Sequence, residues 1–276
     1  MNVLARIMCA AVLMAAAIIA SFGQQRLLVV GGGTRPPEAV KKFVEWSGVG
    51  KARILVVTWA SGEPEASFAA LEKNFAAHSP LSIEHAATRP LDAEKRVKFI
   101  NQLAGATAVF FSGGDQNRIM DVLTDEDLLK LIRAKYVSGT PMGGTSAGAA
   151  VVSDPMMTGD ADLKILDGTK VGVRKGLGLI PDVMFDQHFL VRQRHNRLFG
   201  FIIQNPKTLG VGIDEDTAVL ISDDRYLEVS GDTQVMFVDG KDRKGAMLVN
   251  FLRSGERFDL RKRKRIAAAK VGRTEN

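Results

Sequence analysis

The chain has 276 residues, 46% hydrophobic and 25% charged, which excludes an intrinsically disordered protein and suffices for one large α/β domain or two small ones. Its net charge of +6 is concentrated in the run Arg261-Lys262-Arg263-Lys264-Arg265. Such a run either binds a polyanion or is a solvated tail or charged edge, and the latter is taken here, with no nucleic-acid partner expected.

The first 23 residues read as a secretory signal. Arg6 is the positive n-region, Ile7 to Ala20 is an apolar run short for a bilayer, and Ser21-Phe22-Gly23 offers small residues for cleavage before Gln24. The expected product is exported, to a periplasm or outside the cell, without stable membrane association; the alternative is an uncleaved anchor. The only cysteine, Cys9, falls in this segment, so the mature chain is expected to hold no disulfide, thiolate metal site or cysteine nucleophile.

Beyond it, one domain is expected from residue 24 to 260, then a basic tail from 261 to 276. Apolar strands are predicted at Arg26 to Val30, Arg53 to Trp59 and Ala108 to Phe111, and helices at Lys41 to Trp46, Leu71 to His78, Glu94 to Leu103 and Asp127 to Tyr136. Thr140 to Ser153 reads as strand, turn and helix. The alternation predicts a mostly parallel sheet with helices on both faces. Leu209 to Ile213, Ala218 to Ser222, Tyr226 to Val229 and Gln234 to Val238 lie close together, as antiparallel hairpins added to the same sheet would. Glycine-rich turns follow several strands, which draws the candidate site to the strands' carboxyl ends.

Gly144-Thr145-Ser146-Ala147-Gly148 fits the G-x-S-x-G elbow, in which a serine sits on a tight strand-to-helix turn and the next N–H faces a developing oxyanion. A glycine-rich turn with an incidental serine is the competing reading. Four histidines could serve as base. His78 lies beside Ser79-Pro80 in an apparent surface turn, and His85 has nothing catalytic near it in sequence. No histidine follows His195. His188 sits in Met184-Phe185-Asp186-Gln187-His188-Phe189, where three polar residues interrupt an apolar run; unsatisfied, each would cost about 1–3 kcal/mol if buried. His188 is either a base or a structural histidine bonded to Asp186. An acid must orient the base, and Asp214-Glu215-Asp216 supplies three, with Glu215 preferred and Asp214 second. The order serine, histidine, acid argues against an α/β-hydrolase, which places its histidine last.

Val30-Gly31-Gly32-Gly33, Phe111-Ser112-Gly113-Gly114-Asp115-Gln116, the elbow, Asp186-Gln187-His188-Phe189 with Arg192, Arg194 and Arg197, and Gly210 to Ala218 occur in this order, and together the chain resembles the cyanophycinase and peptidase E-like serine peptidases. The resemblance runs to about Val238. It implies a flavodoxin-like α/β fold of the class I glutamine amidotransferase type. It also implies a triad of Ser146, His188 and Glu215, oxyanion N–H groups at Gly114 and Ala147, no metal or organic cofactor, and a homodimer. Gln116, Asp186, Gln187, Arg192, Arg194 and Arg197 resemble the substrate-binding residues of the cyanophycinase branch, whose polymer carries one carboxylate and one guanidinium per aspartyl unit. The competing reading of the arginines is a solvated helix face.

The expected activity is an exported serine exopeptidase that cuts cyanophycin to β-aspartyl-arginine. A dipeptidase for aspartyl or isoaspartyl dipeptides and a non-catalytic polyanion-binding protein are the alternatives. Two features do not follow the cyanophycinase pattern. Cyanophycin is ordinarily an intracellular store, and Met156 to Gly176, expected at the border of the site, is not the loop usual in that branch.

Overall fold

The computed structural model describes residues 23–242 and 245–267. The segment read as an export signal, apart from Gly23, and the last nine residues of the basic tail lie outside them.

Strands β1 (Arg26–Val30), β2 (Arg53–Val57), β3 (Ser82–His85), β4 (Ala108–Phe111) and β5 (Met142–Thr145) form a parallel block in the order β1-β5-β4-β2-β3. Side chains alternate across a strand, so the near-continuous apolar runs must be covered on both faces. Leu28, Val30, Ile54, Val56 and Phe110 face one core, which is closed by α1 (Pro37–Trp46) and α2 (Pro64–Ala76). Phe110 is its centre, with the Phe43 and Phe75 rings edge-on at 5.6 and 5.2 Å. Leu27, Val29, Leu55, Val57, Val109 and Phe111 face the other core, under α3 (Ala93–Gly105), α4 (Gln116–Val122) and α5 (Glu126–Val137). Asp92, Asp115 and Asp125 cap these three helices by accepting free first-turn N–H groups. α6 (Ala147–Ala150) follows β5 directly.

β10 (Thr217–Ser222), β11 (Tyr226–Gly231), β14 (Arg257–Asp259) and β15 (Lys264–Ile266) extend this sheet antiparallel from β1, giving nine strands. The hairpin expectation holds for β10 and β11. It does not hold for β9 (Leu209–Ile213) and β12 (Val235–Asp239), which join β8 (Val183–Gln187) and β13 (Leu248–Leu252) in a separate four-stranded sheet. One face of that sheet supplies Phe185, Val211, Ile213 and Phe237 to the larger core. The other packs on α7 (His195–Gln204), where Gly210 and Gly212 leave room for Leu198 and Phe189. β6 (Met156–Ala161) and β7 (Val171–Arg174) form a short hairpin beside α7.

The basic run is not a free tail over its first residues. β15 pairs with β14, Arg263 bonds Asp239 at 2.6 Å, and Arg265 bonds Glu256. β15 is the edge strand of the nine-stranded sheet, and its cations blunt that edge against further strand pairing. Truncation before Arg261 is expected to lower stability by roughly 1–3 kcal/mol, the cost of losing hydrogen bonds to charged groups. A denaturant melt checks this, and an unchanged midpoint would mean that β15 contributes nothing.

Candidate active site

β1, β4, β5, β8 and β9 all end at one place. There Val30 O accepts the Ser146 N–H at 3.0 Å, Gly31 O accepts the His188 N–H at 2.8 Å, and Gly32 O accepts the Asp216 N–H at 3.0 Å. Three successive carbonyls at the end of β1 thus hold three separate turns. Gly32 has φ +125°, and a Cβ there would lie 2.2 Å from the His188 ring, so only glycine lets the imidazole approach.

The elbow has the backbone its motif predicts. Ser146 has φ 55° and ψ −112°, a sparsely populated conformation that projects the hydroxyl beyond the strand end. Gly144 and Gly148 pack backbone to backbone: a Cβ on Gly144 would meet Gly148 O at 2.2 Å, and one on Gly148 would meet Phe111 O at 2.2 Å. Ala147 is the first residue of α6, so its N–H has no acceptor within the helix. Gly113 packs against Ser146, its Cβ position 3.7 Å from Oγ, and Gly114 follows at φ +133° against Ala60 O. Among the described residues no protein acceptor takes the Gly114 N–H.

Ser146 Oγ lies 2.7 Å from His188 Nε2, and His188 Nδ1 lies 2.6 Å from Glu215 Oε1. The carboxylate accepts from Nδ1–H, which leaves the Nε2 lone pair for the serine proton. The His188 side chain is 9% exposed and that of Glu215 36%. The imidazole pKa is held below its ordinary value, first by burial. The Glu215 hydrogen bond and charge oppose this, while Arg192 and Arg194 reinforce it.

The acid triplet divides its work. Glu215 reaches the imidazole, whereas Asp214 Oδ1 accepts from the N–H groups of Leu190 and Val191 at 3.0 and 3.1 Å, pinning the turn after His188. Asp216 Oδ1 accepts from the Thr34 N–H at 2.5 Å. Sequence reasoning named Asp214 only as a rival orienter and gave Asp216 no role. The signal was the run itself, three acids between two strands.

The six residues matched to substrate binding separate in the structure. Arg192 is exposed and near enough to depress His188. Arg194 is largely buried, bonds both oxygens of Gln187, and its pKa is lowered to about 10, chiefly by burial. Asp186 and Arg197 are enclosed and paired through two bonds, Arg197 Nε to Asp186 Oδ2 at 2.8 Å and Nη2 to Oδ1. Gln116 is buried and donates to Met157 O at 2.8 Å. Asp186 and Arg197 are thus engaged with each other, while Gln116 braces Met157 through its amide N–H and keeps its side-chain oxygen without a protein partner among the described residues. Their bonds also reach Met157 and Thr158, so the β6–β7 segment does border the site.

The other histidines are accounted for. His85 bonds Thr58 Oγ1 at 2.7 Å and stacks on Phe68, His78 lies in the turn just after α2, and His195 packs edge-on against Phe189. Among the described residues no cluster of three metal-ligating side chains forms, and no helix is long and apolar enough to cross a membrane.

The model of peptidase family S51 matches residues 27–229. The chain belongs to peptidase family S51. Within it, the chain is 34% identical over 203 residues to a cyanophycinase of Trichormus variabilis, covering 73% of this chain and 68% of that protein. It is 43% identical over 136 residues to a cyanophycinase of Geminocystis herdmanii, covering 49% of this chain and 50% of that one, so the match spans half the relative's length. The solved structure of a peptidase from an acI-B1 actinobacterium shares the fold, with TM-score 0.66 and 23% identity over 86% of this chain and 98% of its own. The chain is a cyanophycinase-like member of a serine peptidase family.

Two substitutions test the geometry. Arg197→Met leaves the Asp186 carboxylate buried without its bidentate partner and is expected to cost about 3–5 kcal/mol in a denaturant melt. Gly32→Ala, which drives a methyl into the imidazole, is expected to lower turnover at least 100-fold, because a small displacement of reacting groups costs about that much. Wild-type turnover from that variant would mean that the His188 position is not critical.

Proposed function

We propose that this protein is a serine-type exopeptidase that hydrolyses cyanophycin to β-aspartyl-arginine. The observation that carries the reading is the unbroken chain of hydrogen bonds from Ser146 through His188 to Glu215. In the proposed reaction Ser146 Oγ attacks the carbonyl between aspartyl units while His188 Nε2 takes its proton. The oxyanion forms beside the Ala147 and Gly114 N–H groups, His188 returns the proton to the leaving amine, and water then cleaves the acyl-enzyme. Glu215 keeps the imidazole in the required tautomer and stabilises the imidazolium.

Substrate choice is supported by the cyanophycinase relatives and by Arg192, a cation beside the catalytic histidine able to pair with a carboxylate. The buried Asp186–Arg197 pair and the Arg194–Gln187 bonds hold β8 and the turn before α7 in place behind it. Because two of the three arginines are internally engaged, a second reading gains weight: cleavage of short aspartyl or isoaspartyl dipeptides, which need fewer cations. The apolar run before Gln24 supports action after export, on polymer released from cells. Assembly as a homodimer remains part of the proposal, carried by the family resemblance alone.

Incubation of the chain from Gln24 with cyanophycin, with products read by mass spectrometry, is the test. The expected product is β-aspartyl-arginine, lost by a factor on the order of 10⁴–10⁶ in Ser146→Ala. Free arginine as the product would overturn the bond assignment, and cleavage of dipeptides alone would favour the second reading. The pH profile gives an independent check. Catalysis needs neutral His188, so kcat/KM rises with pH through its pKa, and that limb is expected below the ordinary histidine range. Arg192→Met removes a cation that depresses the imidazole, so the limb is expected to move to higher pH; a shift to lower pH would contradict the electrostatics.

A further inference from the structure

A cavity of about 390 Å³ lies between α4, the first turn of α3 and the loop at Arg89. Its lining includes Arg89, Arg96 and Arg118 and the acids Asp121 and Asp125. Most of these charges are matched. Arg96 holds Asp125 through two bonds of 2.6 and 3.3 Å, and Asp121 accepts from Arg174 at 2.8 Å. Two cations are less fully engaged. Arg89 spends only its Nε, on Trp59 O at 2.9 Å, so both its terminal nitrogens are uncommitted among the described residues. Arg118 comes no nearer to an acid than 3.9 Å, to Asp115, which is beyond hydrogen-bond range, and Asp115 is already the cap of α4. The rest of the wall includes Pro90, Leu91 and Val122. Two planar donors against an apolar wall suit a carboxylate on a short aliphatic stem.

The cavity's position ties it to the reaction. Arg118 stands in the first turn of α4, which starts directly after Gly113, Gly114 and Asp115, and Gly113 touches Ser146. The chain between them places Arg118 on the order of 10–15 Å from the nucleophile, about three to four residues of extended peptide. We propose that Arg89 and Arg118 form a remote subsite for a carboxylate of the acidic peptide substrate, three to four units from the bond that is cut. The choice of ligand rests on the function proposed above. The subsite gives a polymer an affinity that a dipeptide cannot obtain, and it resolves how an enzyme with most of its central arginines internally engaged would still prefer long chains.

The test is calorimetric titration of the full chain carrying Ser146→Ala with tetra-aspartate, with and without Arg118→Gln. The Arg118 side chain makes no hydrogen bond to the protein and only a long ion pair with Asp115, so its replacement removes a ligand contact and one weak pairing; unchanged labelling of Ser146 by a fluorophosphonate in the otherwise wild-type chain verifies the fold. The Kd is expected to weaken at least tenfold, Arg118→Lys is expected to recover part of the loss, and adding Arg89→Gln is expected to deepen it. An unchanged Kd in Arg118→Gln would overturn the subsite. Abolition of tetra-aspartate binding by equimolar inorganic phosphate would assign the cavity to a small free anion and overturn the peptide proposal. If binding depends on Arg118 while the wild type hydrolyses no cyanophycin, the cavity stands and the substrate reading fails. If hydrolysis proceeds and the Kd is indifferent to Arg118, the cavity alone fails.

Discussion

Three carbonyl groups in a row organise the site. Val30 ends the central strand of the large sheet and Gly31 and Gly32 follow it, and each accepts an N–H from a different part of the chain: the elbow at Ser146, the turn at His188 and the acid triplet at Asp216. A side chain at Gly32 would occupy the imidazole's place, and one at Gly31 would lie 2.1 Å from Asp214 O. The distances within the Ser146–His188–Glu215 chain are therefore set less by those three side chains than by a backbone segment that bears no functional group. Such a hub makes the arrangement rigid before any substrate arrives, as electrostatic preorganisation requires.

The polar residues around that hub fall into two shells with different physics. His188 and Glu215 keep partial access to water, and the imidazole's lowered basicity suits a group that must be neutral to act. Behind them, Asp186 and Arg197 are closed off from solvent, and a buried pair of this kind contributes geometry more than net stability. Here it fastens β8, which ends one residue before His188, to α7, which follows the His188 turn. Asp214 does the same from the other side by holding the Leu190 and Val191 N–H groups.

Much of this was legible in the sequence. The strand Arg26 to Val30 and the strand Ala108 to Phe111 were read to the residue, because a strand covered on both faces is a bare apolar run ended by glycine. The elbow glycines, His188 and Glu215 stood out because the chemistry constrains residue type and spacing together. What escaped was long-range pairing. Nothing local in Leu209 to Ile213 says that it pairs with Val183 to Gln187 rather than with the larger sheet, since both choices bury the same side chains. The internal partners of Arg194 and Arg197 escaped for a related reason: spacings of two and three residues do not say which guanidinium meets Asp186 inside the fold. The basic run was read as a solvated tail or a charged edge, and its pairing with β14 was not visible in a stretch of uninterrupted cations.

Nucleophilic catalysis by Ser146 requires a covalent intermediate on its hydroxyl. Mixing the protein with cyanophycin, quenching in acid within milliseconds and mapping the peptides by mass spectrometry reads it directly. An aspartyl adduct on the peptide containing Ser146, formed and lost within one turnover, is the predicted result. Turnover with no adduct on that peptide, or an adduct on another residue, would contradict it.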